Sequence, residues 1–233
     1  MFTKIIRRIK ELVNRSVARV KVRTQRHGWL AHHGMQRNGT NFLLLVLKQM
    51  DIDVINEFDP RRNQPQHKHF RWYRNKARIP DYIKYDYHNT LTVNSVDELN
   101  ELCGYPADSR HIVIQKRRED AVVSVANWGL RCQWFASKQD ALENMPVIAR
   151  DYDAYYDFWS GLAAAEPARV ALVRFEALIE DTQSLTSALG RLGYSVGPEH
   201  QRLQFDEVPQ SPKNRAKQIT AADYEAVFAA EVP

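Results

Sequence analysis

The sequence predicts an α/β fold in three layers, with helices on both sides of a central, mainly parallel sheet. Three observations predict it. Apolar runs of strand length occur at Trp29 to Met35, His111 to Gln115 and Arg169 to Phe175. Each is followed by a segment whose apolar residues recur at helical spacing. No internal repeat or low-complexity tract interrupts the alternation. The chain has 233 residues, 44% hydrophobic and 26% charged, enough to bury one core within a single domain.

Ahead of that domain, Phe2, Ile5, Ile6, Ile9, Leu12 and Val13 recur at three- and four-residue intervals among Arg7, Arg8, Lys10 and Arg15. This predicts a basic amphipathic helix within residues 1–28, with the α/β domain at 29–233. The helix suits either peripheral contact with an anionic membrane surface or packing on the domain with its basic face in water. No apolar run reaches the roughly 18 residues that a spanning helix needs. The two cysteines, Cys103 and Cys132, make no disulfide framework, and a cytoplasmic setting is expected. The net charge of +5 favours an anionic partner.

The first strand runs into a polar turn at Gln36 to Asn38, and Phe42, Leu43, Leu45, Val46 and Met50 continue it as a helix. Residues Asn56 to Thr90 are rich in Arg, His and Tyr with little apolar periodicity, and predict a long loop region over a site. Helices are expected over Glu119 to Trp134, Val147 to Leu162 and Ala177 to Leu192, the last closed by Gly193. A basic cluster at Lys213, Arg215 and Lys217 precedes a short final helix.

Chemistry concentrates in Gly34-Met-Gln-Arg-Asn-Gly39-Thr40-Asn41, which has the two glycines of a P-loop at the right spacing between a strand and a helix. It makes the expected fold P-loop-like. Glycines let backbone N–H groups face an anion, and the helix start adds its positive dipole end. A nucleoside triphosphatase places Lys and then Ser or Thr after the second glycine. Thr40 and Asn41 stand there instead, and the cation of this loop is Arg37.

Here the chain resembles the PAPS-dependent sulfotransferase superfamily, where PAPS is 3'-phosphoadenosine 5'-phosphosulfate. Its 5'-phosphosulfate loop reads Arg or Lys, a small residue, Gly, Thr or Ser, then Thr, Ser or Asn; this chain reads Arg37-Asn38-Gly39-Thr40-Asn41-Phe42. Its 3'-phosphate segment carries a basic residue with Asp four and Ser eight positions later, matched by Lys116, Asp120 and Ser124, with Arg117 a further cation. Val173-Arg174-Phe175-Glu176-Ala177-Leu178 matches more weakly and reads as structural. The ordered matches run from about residue 29 to 195.

The resemblance implies transfer of a sulfuryl group from PAPS, without a metal, to an acceptor hydroxyl or amine, on a glycan or lipid among others, with PAP as product. It makes Arg37, Asn38, Gly39, Thr40, Asn41, Phe42, Lys116 and Ser124 the donor-binding residues. Phe42 has two expected places, against the adenine or in the core. Arg37 and His69 are the expected catalytic residues, with His67 in reserve as the base, because imidazole titrates at about pH 6.5. Lys68 is a cation for the sulfuryl group or an anionic acceptor. Lys213, Asn214 and Arg215 fall where family members close over the 3'-phosphate. Trp72, Tyr73, Arg74, Tyr82, Tyr85 and Tyr87 suit either an acceptor platform or a self-packed loop. A small kinase or a nucleic-acid- or anion-binding protein is the alternative, but no nucleic-acid reading motif accompanies Phe70 to Arg78, and no nucleic-acid partner is expected.

Overall fold

The computed structural model describes residues 28–57, 93–198 and 218–229, together with Val13 and Ser16, which are helical. The rest of the predicted N-terminal helix, the predicted loop region after Glu57 and the basic cluster at 213–217 lie outside the described residues. The chain runs β1 (Leu30–His33), α1 (Thr40–Gln49), α2 (Val96–Cys103), β2 (Arg110–Gln115), α3 (Arg118–Arg131), α4 (Lys138–Glu143) and α5 (Met145–Ala165). It continues through β3 (Val170–Arg174), α6 (Phe175–Glu180), α7 (Gln183–Arg191) and α8 (Ala221–Ala229).

The three strands form a parallel sheet in the order β1-β2-β3, with Leu30 opposite Arg110 and His111 opposite Val170. Alternation along β2 sends side chains to two cores. Ile112 and Ile114 join Ala171 and Val173 under Leu43, Val46 and Leu47 of α1 and Leu185 and Leu189 of α7. Val113 joins Val170 under residues of α2, α3 and α5, including Leu99, Val122, Ile148 and Trp159. Each such aliphatic side chain contributes about 1.5–3 kcal/mol when fully buried. The predicted α/β class and parallel sheet are therefore present, with helices on both faces. Among the described residues no helix is long and apolar enough to cross a membrane.

Two helices were not expected, and serine caps form both. Ser95 accepts the Glu98 N–H at 3.2 Å while Glu98 Oε2 accepts from Asn94 N–H, starting α2. Ser137 accepts the Asp140 N–H at 3.1 Å to start α4. The helix expected over Ala177 to Leu192 is two. Asp181 is extended, and its carboxylate accepts the Gln183 N–H at 2.8 Å, trading one helical turn for a side-chain cap that begins α7.

The exposed edge of β1 is covered by the chain after α1. Asn56 accepts the His32 N–H at 3.1 Å and donates to the His32 carbonyl at 2.7 Å, standing in for a neighbouring strand. On the opposite core face a polar chain is buried. Asn100 donates through Nδ2 to the carbonyls of Ala107 and Ser109, so its Oδ1 must accept from His111 Nε2 at 2.9 Å. His111 Nδ1 is then an acceptor, and His33 Nε2 donates to it at 3.0 Å. One tautomer of each ring satisfies the chain, and both rings lie beside Trp159.

Burial, reinforced by the positive charge of Arg169, lowers the His111 pKa from 6.5 to about 3. Below pH 6.5 the unfolded chain takes up a proton that the folded chain refuses, so stability is intact above that pH and falls as pH drops toward about 3. Urea unfolding from pH 7.5 to 4.5 is expected to show that loss. His111→Leu, which leaves Asn100 Oδ1 without its donor, should cost about 1–3 kcal/mol at pH 7.5 and flatten the pH dependence.

Candidate functional site

All three strands end at one edge of the sheet, where α/β proteins place their ligands. β1 leads into residues 34–39, β2 ends at Gln115 before Lys116, and β3 ends at Arg174 before Phe175. The 34–39 turn is closed by the Asn38 N–H to the Met35 carbonyl at 3.2 Å, and α1 begins with the Leu43 N–H bonded to the Gly39 carbonyl at 2.9 Å. Arg37 and Gly39 both take left-handed backbone, with φ of 73° and 92°. For a residue with a Cβ that conformation costs roughly 1–2 kcal/mol.

Packing fixes both glycines. A Cβ on Gly39 would stand 2.4 Å from Cδ2 of the Phe175 ring. One on Gly34 would stand 2.7 Å from Thr40 Cγ2 and 3.0 Å from the Ile114 carbonyl oxygen. The turn is thus pressed against the end of β2 and the start of α6, and Thr40 is buried beneath Gly34.

Three tyrosines of α5 hold the base of the turn. Tyr156 accepts the Met35 N–H at 3.2 Å and donates to the Ile114 carbonyl at 2.9 Å. Tyr152 donates to the Lys116 carbonyl, and the Tyr155 hydroxyl is hydrogen-bonded to the Gly34 backbone. Burial raises the pKa of all three phenols, so they stay protonated. Tyr155 and Tyr156 stand three and four residues after Tyr152, the sign in the sequence that the three phenols share one side of α5.

Gly39 gives α1 no side-chain cap, and the first turn of α1 carries no acidic residue. The donors and positive dipole end of that turn lie beside two cations. The Arg37 guanidinium sits 5.0 Å from the centroid of the Trp128 ring, and Lys116 Nζ sits 5.0 Å from that of Phe175, whose edge touches Gly39. Burial, then the like charge of Arg131, lowers the Arg37 pKa, with Cys132 opposing. Asn38 is fully buried and links the turn to β2, donating to the Gln36 carbonyl and accepting the Lys116 N–H at 3.3 Å.

The remaining predicted residues divide clearly. Asn41 is exposed at the start of α1. Phe42 takes the core place, edge-on to Phe175 at 6.1 Å between centroids. Ser124 is half-buried on α3, four residues before Trp128 and so on the same helical face. Arg117 is turned to Asp120 at 2.9 Å and to Glu176 at 3.8 Å, and Arg118 to Asp153 and Tyr224. Lys116 is therefore the member of this basic run that faces the turn. His67, Lys68, His69 and the aromatic residues at 72–87 lie outside the described residues, as do Lys213, Asn214 and Arg215. Asn127 nevertheless anchors the chain just beyond them, accepting the N–H groups of Gln218 and Ile219 and donating to the Ile219 carbonyl.

Among the described residues no group of three His, Cys, Asp or Glu side chains could hold a metal ion. Comparison with protein-family models, with curated proteins and with solved structures finds no match to this chain.

Gly39→Ala combines left-handed strain with the Phe175 clash and should cost about 2–4 kcal/mol in chemical denaturation. Gly161→Ala, in α5 with open space around the added methyl, should instead gain about 0.5–1 kcal/mol.

Proposed function

We propose that this protein is a sulfotransferase with a P-loop-like donor site, moving a sulfuryl group from PAPS to an acceptor hydroxyl or amine. The observation that carries the proposal is a tight turn with Arg37 on it and Lys116 against Phe175, the ring that packs on Gly39, followed by a helix with neither a side-chain cap nor a first-turn acid. Such an end favours an anion that brings several acceptor oxygens.

On this reading the first-turn N–H groups of α1, with Thr40 and Asn41, bind the 5'-phosphate of the donor. Arg37 lies by the oxygen that bridges phosphate to sulfate. The acceptor oxygen or nitrogen forms its bond to sulfur as the bridging S–O bond breaks, and that electron pair leaves on the phosphate of PAP. Arg37 stabilises the charge that develops there. The acceptor proton passes to a base, for which His69 is the candidate. Lys116 and Ser124 take the 3'-phosphate, the cation supplying charge and the hydroxyl a neutral donor. Asn38 and Gly39 serve by shaping the turn, and Phe42 by seating α1 in the core. The carboxylates facing Arg117 and Arg118 leave these two arginines as braces of α3.

Calorimetry should show metal-independent binding of PAP, well ahead of AMP and of ATP with magnesium. A preference for magnesium-ATP would transfer the site to phosphoryl transfer, and strongly salt-dependent binding of oligonucleotides alone would make the basic surface a nucleic-acid site.

Two variants test the roles. Arg37→Ala should lower transfer by about 10²–10³-fold with folding intact. Lys116→Ala should weaken PAP by about 10–100-fold, the loss of a hydrogen bond to a charged group. Full activity of Arg37→Ala would overturn the catalytic assignment.

A further inference from the structure

Two guanidinium groups meet one indole on α3. Arg37 lies 5.0 Å from the Trp128 ring centroid and Arg131 lies 6.0 Å from it. A ring face attracts a cation, and the attraction grows as the cation loses water. Arg37 is half-buried and its charge is opposed by Arg131, so the indole holds the guanidinium in a place that burial and like charge both disfavour. The backbone cooperates: left-handed φ at Arg37 fixes the direction in which its side chain leaves the turn.

The platform itself is built to stay in place. Gly129, the next residue, has no Cβ because one would stand 2.2 Å from the Phe135 ring, and Phe135 is only 3% exposed. The chain after α3 folds back through the Trp134 N–H, bonded to the Gly129 carbonyl at 2.8 Å, and locks the end of the helix that carries Trp128. Ser124, Trp128 and Arg131 follow at intervals of four and three residues, so one face of α3 meets the turn.

We propose that Trp128 is a positioning residue, whose ring holds the Arg37 guanidinium at the anion-binding side of the turn. This rests on reading the turn as an anion site, though not on the identity of the nucleotide. Arg131 adds a second positive charge at the same ring, so an entering group with two or more negative charges relieves the repulsion between the two guanidiniums. The site therefore selects a phosphosulfate or pyrophosphate-like anion over a monoanion.

Inorganic pyrophosphate, titrated by calorimetry, probes the pair without assuming the nucleotide. Trp128→Leu should weaken pyrophosphate about fivefold, Trp128→Phe should stay within about twofold because it keeps a ring face, and Trp128→Leu should add nothing in an Arg37→Ala background. Retention of the unfolding transition in each variant separates this from loss of fold. If Trp128→Leu has no effect, if it weakens binding equally in both backgrounds, or if the wild-type chain does not bind pyrophosphate, the positioning role is wrong. PAP titrated in parallel keeps the two readings apart: coupled pyrophosphate binding without preference for PAP preserves the role of Trp128 and removes the sulfotransferase.

Discussion

Two parallel strands that part at their ends leave an N–H on one and a carbonyl on the other without ladder partners. β1 and β2 part at Gly34 and Ile114, and the hydroxyl of Tyr156 takes both groups, accepting from Met35 and donating to Ile114. That bridge lets the chain leave the sheet and turn toward α1 without orphaned backbone polar groups. Everything at the site depends on it. The close approach of Gly34 to Ile114, the packing of Gly39 on Phe175 and the direction of Arg37 all require the turn to stay pressed on β2. Tyr152 donates to the Lys116 carbonyl two residues further along, just past the end of β2.

Charge is distributed around this rigid turn in an uneven way. Carboxylates of Asp120, Glu176 and Asp153 engage Arg117 and Arg118, so these cations are spent on bracing α3 against α5 and α6. Lys116 and Arg37 lie over aromatic rings, which attract a cation without neutralising it. Two cations seated beside rings, Arg37 at Trp128 and Lys116 at Phe175, mark this end of the sheet.

The sequence made the sheet and several helices legible through apolar spacing, since β-strands and amphipathic helices declare themselves by what they bury. β2 and α3 lie close to their expected bounds. The helices at Val96–Cys103 and Lys138–Glu143 were harder because they are short. Their signal was chemical rather than periodic: Ser95 with Glu98, and Ser137 with Asp140. The break at Asp181 followed the same rule, a side chain competing with the helix for a backbone N–H. At the site, the glycines and Arg37 were visible because phosphate loops have a spacing. Trp128, Phe175 and the tyrosines of α5 were not, because their partners are more than 80 residues away along the chain in most cases and only the fold brings them to the turn.

The position of the cation also bears on the choice between group transfers. In the triphosphatase pattern the lysine follows the second glycine, at the first turn of the helix. Here that residue is Thr40, buried beneath Gly34, with its methyl filling the space a Cβ on Gly34 would need. A long side chain at 40 would have to leave that pocket and disturb the contact that keeps the turn on β2. The cation is supplied from Arg37, on the crown of the turn, and steadied from α3. In the proposed reading the phosphate of a phosphosulfate rests on the first-turn N–H groups and its bridging oxygen meets Arg37, so the charge of the leaving group is met without a cation at position 40. A pyrophosphate would be held in the same way, so it is the 3'-phosphate held by Lys116 and Ser124, together with the acceptor, that separates sulfuryl from phosphoryl transfer in that reading.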